Sequence, residues 1–193
     1  METVLVSEEN QKLISKLIFS TIVPRPIAWI TTVSKEGAVN LAPFSFFNAV
    51  TTKPPLLFVS VGKRKDGSLK DTSRNIVETG EFVVNVVSEE FLEKMHLSGK
   101  DFPPEVSEPE ELGISLESSE KVKPPRVKGV PASLECVLRE HLNLGSTPMD
   151  VFIGEVVSIT YSPEILNSQR GIVGRLGGKR YCIVKNEVDL SNL

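Results

Sequence analysis

The polar run Lys70-Asp71-Thr72-Ser73-Arg74-Asn75 falls where a helix is expected to begin. A helix start offers unpaired backbone N–H groups and the positive end of the peptide dipoles. Lys70, Thr72, Ser73 and Arg74 add cationic and hydroxyl donors, a combination suited to a phosphate dianion. The same residues equally describe a capped surface helix with a solvated charge cluster, and capping is far commoner than ligand binding.

A second segment, Pro43-Phe44-Ser45-Phe46-Phe47-Asn48, holds three of the nine phenylalanines, interleaved with polar residues directly after an expected strand. Such a connector can wall a planar ring while its backbone amides meet the ring's polar edge, although aromatic clusters usually serve only as core. Trp29 and Phe58 carry the same two readings. Pro24-Arg25-Pro26 fixes an extended segment and presents one arginine, for a phosphate, a carboxylate or a surface pair. The run Gly174-Arg175-Leu176-Gly177-Gly178 lacks the strand-then-helix context and the glycine spacing of a dinucleotide loop, so a flexible loop or tight turn carrying Arg175 is expected.

Other chemistries find little footing. His96 and His141 have no second His or Cys at ligand spacing, and Cys136 and Cys182 lie far apart in apolar segments, which disfavours a transition-metal or dithiol centre. No Gly-x-Ser-x-Gly elbow occurs. Twenty-two basic residues against 25 acidic ones give a formal charge of −3, so nothing advertises nucleic acid as a partner. The acidic, polar start of the chain and the lack of a long apolar run speak against a signal peptide or membrane span, and the cytoplasm is the expected compartment.

The elements that must position these segments are short. Leu13, Ile14, Leu17 and Ile18 recur at helical spacing, predicting an amphipathic helix over 7–19 bounded by Pro24 and Pro26. Residues 27–33 and 38–41 read as a hairpin about Lys35-Glu36-Gly37. Residues 56–61 and 82–87 read as strands covered on both faces, with a helix capped by Asp71 or Thr72 and ending before Gly80 between them. Another helix opens at 88–90 and closes near Gly99.

Residues 98–131, rich in proline and acid, read as a long surface excursion. Strands at 132–144 and 151–161 follow, with a turn over 145–150, and a last strand at 180–184. Many strands, few helices and no repeated strand-helix-strand unit predict one domain over 1–193, mainly β, as an antiparallel barrel or sandwich.

Taken in order, PRPIAWITT from Pro24, NLAPFSFFNAV from Asn40, KDTSRNI from Lys70, EFVVNVV from Glu81 and the later PASLEC, IGEVV and GRLGGKRY resemble the flavin reductase-like family of FMN-binding split barrels, its flavoredoxin-like members included. The resemblance implies an antiparallel Greek-key split barrel with peripheral helices, a homodimer, and FMN near the subunit interface. Carried over by position, it implies that Trp29, Thr31 and Thr32 border the flavin. Ser45, Phe46, Phe47 and Asn48 would surround its ring and ribityl chain, and Lys70, Asp71 and Thr72 its phosphate, with Arg175 and Tyr181 reaching in from the chain's end.

The implied chemistry is hydride or electron transfer through the flavin N5 edge, with the cofactor and not a side chain carrying it. NAD(P)H is the implied reductant, and free flavin or a redox partner protein the acceptor. An electron carrier with permanently bound FMN and a non-redox flavin-binding module are the alternatives.

Overall fold

A computed structural model describes residues 1–103, 106–145 and 149–190. Pro104 of the excursion and the centre of the 145–150 turn lie outside the described residues. A 3-10 turn and α1 (Gln11–Thr21) lead into β1 (Arg25–Pro26) and β2 (Ala28–Val33). β3 (Val39–Phe44), β4 (Phe47–Thr52) and β5 (Pro55–Gly62) follow, then α2 (Asp71–Thr79), β6 (Glu81–Asn85) and α3 (Leu92–Leu97). The excursion carries α4 (Glu108–Glu111), β7 (Leu116–Glu117) and β8 (Arg126–Val127). β9 (Ala132–Leu144), β10 (Met149–Tyr161), β11 (Val173–Gly177) and β12 (Arg180–Ile183) complete the order.

Seven antiparallel strands form the main sheet in the order β3-β2-β6-β9-β10-β5-β4. Phe44 of β3 and Val59 of β5 stand far apart in that order, yet share one apolar interior with Ile30, Phe82, Cys136 and Phe152. The sheet is therefore rolled up, while its edge strands β3 and β4 are not hydrogen-bonded to each other, which is the expected antiparallel split barrel. Gly154 in β10 is required by this closeness, since a Cβ there would stand 2.4 Å from the ring of Phe82. Among the described residues no helix is long and apolar enough to cross a membrane, and no cluster of three metal-ligating side chains occurs.

The excursion is not the loose surface path its prolines suggest. Ile114 and Val127 are buried with Trp29, Leu41 and Met95 in a second apolar core on the outer side of the barrel. Buried acceptors pin it there. Glu135 of β9, fully buried, accepts the N–H groups of Glu120 (2.9 Å) and Lys121 (2.6 Å). Asn85 Oδ1 accepts Val127 N–H at 2.9 Å, and the Thr31 hydroxyl donates to Pro125 O at 2.5 Å. Unpaired backbone groups in a buried loop would be costly, so these side chains replace the sheet partners it lacks.

Besides the two-residue strands of the excursion, β4 and β11 escape the sequence reading. The phenylalanine connector is short, because β4 begins at Phe47 and pairs with β5. The glycine run at 174–178 is mostly strand: β11 pairs with β1 in the register Arg25↔Arg175 and Pro26↔Gly174, and with β12. Gly174 permits this, as a Cβ there would lie 2.8 Å from Pro24 Cβ.

Candidate functional site

The β3–β4 connector is where the expected site residues meet. On one side α2 begins at Asp71 after Lys70, whose backbone is extended (ψ 156°), and no side chain caps it, so its first N–H groups are not taken by a neighbouring side chain. Ser73 in that first turn has a buried hydroxyl with no partner among the described residues. Lys70 reaches over the Phe44 ring, its Nζ 5.9 Å from the centroid. A small polar cavity of about 50 Å³ opens here, bounded by Asn40, Phe44, Arg64, Lys70, Thr72 and Lys100 among others.

Asp71 bridges Arg64 and Arg74 through short ion pairs, fixing both cations beside the helix start. Thr72 is buried and accepts from Asn40 Nδ2 at 2.9 Å. Glu108 closes the cavity from the excursion and accepts Leu41 N–H at 2.9 Å. Burial pushes its carboxyl above the ordinary range, and the nearby Asp71 charge adds to the effect, against the lowering by its backbone hydrogen bonds. A raised folded value means that this group's contribution to stability is present at low pH and is lost as pH rises through that value. We therefore expect Glu108→Gln, which keeps an acceptor for Leu41, to flatten that loss: urea midpoints of variant and parent should converge at acid pH and separate in the variant's favour towards neutrality.

On the connector's other side lies a groove of about 540 Å³, mostly apolar, walled by Ile18, Ile22, Phe46, Phe47, Phe58 and Leu144. Ser45 and Asn48 supply its polar points together with Arg25. Arg25 is buried, donates from Nη1 to the carbonyls of Phe19 (3.1 Å) and Ile22 (2.9 Å) and from Nε to Ser45 Oγ (3.4 Å), and lies over the Phe19 ring. Phe19 stacks on Phe46 with centroids 5.6 Å apart.

Arg175, across from Arg25 in register, covers the Tyr181 ring and donates to the Tyr181 hydroxyl and Gly178 O. The Tyr181 hydroxyl also meets His96 Nδ1 at 2.8 Å. Burial raises the phenol's pKa, opposed by Arg175.

The structure thus brings Ser45, Phe46, Phe47, Asn48, Lys70, Asp71 and Thr72 together about one connector, with Arg175 and Tyr181 behind Arg25. It does not put Trp29, Thr31 and Thr32 on the walls of either opening. All three are fully buried: Trp29 Nε1 donates to Ser98 Oγ at 2.9 Å, Thr31 holds Pro125, and Thr32 accepts from Asn40 and Asn75. Their side chains are tied to the protein itself, in a strand that lies between β3 and β6.

Asn40, Arg64 and Glu108 were not expected. Arg64 sits in the basic run after β5, a signal that charge clustering alone offers; Glu108 had none.

A phosphate-bearing planar ligand fits these residues. Cations and an uncapped helix start face one end of the connector, phenylalanines the other, and the orphaned Ser73 hydroxyl lies in the same first turn.

Comparison with known proteins agrees. A family model described as the flavin reductase like domain matches residues 19–174. An uncharacterized protein of Aquifex aeolicus is 45% identical over 184 residues, covering 92% of this chain and 93% of its own. Nitrilotriacetate monooxygenase component B from Bacillus cereus superposes with a TM-score of 0.89 at 36% identity, covering 98% of both chains. Pseudomonas fluorescens 2-nitrobenzoate 2-nitroreductase superposes with a TM-score of 0.83 at 32% identity, covering 97% of this chain and 95% of its own.

Proposed function

The chain belongs to the flavin reductase-like family, and from that premise we propose that it is an FMN-dependent oxidoreductase of the cytoplasm that accepts electrons from a nicotinamide donor and passes them to free flavin, a small molecule or a partner protein. The observation that carries this reading is the segment Pro43 to Asn48 itself, which lines both the polar cavity at the start of α2, where Lys70, Arg64 and Lys100 stand among three carboxylates, and the phenylalanine-walled groove. A ligand with a phosphate tail and a flat ring has a chemical partner on each side. The similar nitroreductase and monooxygenase component, redox proteins by name, support an oxidoreductase.

When bound, FMN supplies hydride and electron exchange at the N5 edge of its ring. The protein's part is to hold and shield. Lys70 and the first N–H groups of α2 take the phosphate dianion, with Arg64 kept in reach by Asp71. Phe46 and Phe47 offer apolar faces to the ring and limit water around it, while the polar groups at Ser45 and Asn48 meet its edge.

A second copy of the chain completes the pocket in this reading. α1 buries none of its residues, and Leu13, Leu17 and Ile18 stay between 41 and 45% exposed beside the groove that Ile18 and Leu144 line. An apolar face of this kind beside an open groove suits a homodimer.

Calorimetric titration with FMN, followed by a visible spectrum of the gel-filtered complex, tests the central claim. A yellow complex of one FMN per chain is expected. Well-folded protein that gives neither heat nor colour would sink it, and steady-state NAD(P)H oxidation then separates an enzyme from a carrier.

A further inference from the structure

Glu108 stands at the polar cavity of α2 without a cation of its own. It is 6% exposed, and among the described residues no Lys or Arg lies within ion-pair distance of it. Its hydrogen bonds come from the backbone instead: Oε2 accepts Leu41 N–H at 2.9 Å, and its own amide assists. The carboxyl is thereby held in place by α4 and β3, with nothing to fix its charge.

The charges around it are largely spent on one another. Glu108 lines two adjoining cavities, one with Arg64, Lys70, Asp71, Lys100 and Asp101, the other with Asp71 and Arg74. No histidine lines either. Asp71 engages both Arg64 and Arg74, while Lys70 and Lys100 have no carboxylate within ion-pair distance among the described residues. A phosphate dianion entering this space meets a buried carboxylate already short of counter-charge. Like charges confined together drive one of them to take a proton. A neutral carboxylic acid turns the repulsion into a hydrogen bond, because its O–H donates to a phosphate oxygen while Oε2 keeps Leu41. Burial has already moved the Glu108 carboxyl in that direction.

We propose that Glu108 takes up a proton when a phosphate monoester enters this cavity and, as a carboxylic acid, donates it in a hydrogen bond to a phosphate oxygen. The inference rests on the FMN reading for the ligand's identity. The proton comes from solvent, the ligand stays a dianion, and no bond within it changes.

Affinity for the phosphate ester therefore falls as pH rises. Below the Glu108 value of the free protein the carboxyl is protonated in both states and binding takes up nothing. Between that value and the higher one of the complex, each pH unit costs about tenfold in affinity. A phosphate monoester loses its second proton near about pH 6, so its own ionisation adds little from about pH 7 upwards. Riboflavin, which has no phosphate, should show no such slope.

Calorimetric titration of FMN and riboflavin into the full chain at about pH 7.5, in buffers of different ionisation enthalpy, counts the protons taken up. FMN should take up close to one proton per site and riboflavin close to none. Glu108→Gln supplies an amide donor that needs no proton, and keeps an acceptor for Leu41. It should abolish the uptake, flatten the pH dependence of FMN affinity and, at about pH 8, bind FMN at least as tightly as the parent. The phosphorus NMR resonance of bound FMN should be that of a dianion.

FMN binding without proton uptake, uptake that survives in Glu108→Gln, or a monoanionic phosphate in the complex each overturn the proposal and leave the flavin reading intact. If folded protein binds no FMN, that reading falls and this one with it. Should Glu108→Gln not fold, the proton count and the phosphorus resonance of the parent still decide.

Discussion

Glu135→Ala should lower the unfolding free energy by about 3 kcal/mol, a large part of the 5–15 kcal/mol that ordinarily stabilises a domain. The Glu135 side chain is fully buried, and its two oxygens are the acceptors for the Glu120 and Lys121 amides. A hydrogen bond to a charged group is worth about 1.5–3 kcal/mol, and truncation removes two at once while leaving a void. Water reaching the half-buried amides offsets part of the loss, so the lower part of the summed range is expected. Glu135→Gln keeps the shape but turns an amide donor towards one of the N–H groups, and should fall between parent and alanine. Urea unfolding at constant slope is the measurement; a midpoint unchanged in Glu135→Ala would mean that the excursion is held by its apolar contacts alone.

The second large effect concerns the ligand. Lys70→Ala should weaken FMN about tenfold or more, the cost of one charge-assisted hydrogen bond, while riboflavin affinity barely changes. Lys70 stands at the uncapped start of α2 and lines the polar cavity, on the opposite side of the connector from the phenylalanine groove. A phosphate contact and a ring contact are thereby separable by substitution. Equal losses for FMN and riboflavin in parallel titrations would instead mean that Lys70 supports the connector as a whole, through its position over Phe44.

Elements whose signals are local were legible in the sequence. The strand at Ala132–Leu144 matches its expected limits, and the helix at Asp71–Thr79 ends as expected at Gly80, whose φ of 73° few other residues adopt readily. β4 was not legible: an edge strand with mostly exposed side chains, it shows no apolar alternation of the kind that marks a half-buried strand. β11 was hidden by its glycines, which mark turns in general but here allow β1 to come close.

The candidate site divides along the same line. The connector and the Lys70 run are contiguous, so their chemistry could be read. The burial of Trp29, Thr31 and Thr32 within the protein could not be read, since a strand covered on both faces looks alike whether ligand or protein does the covering. Glu108 and Glu135 act on amides 67 and 14–15 residues away, contacts that no local pattern reports.

The grip of Glu108 on Leu41 has a consequence for how copies of this chain meet. β3 is a terminal strand of the seven-stranded sheet, and the Leu41 N–H points outward, away from β2. Bare strand margins are templates on which further chains add, and ribbons or fibrils grow from them. Here the carboxylate occupies a free donor and α4 lies along the margin, so the excursion insulates the sheet from its neighbours in a crowded solution. A chain trimmed of that segment would lose more than a second core: it would expose a ready seam for runaway self-association.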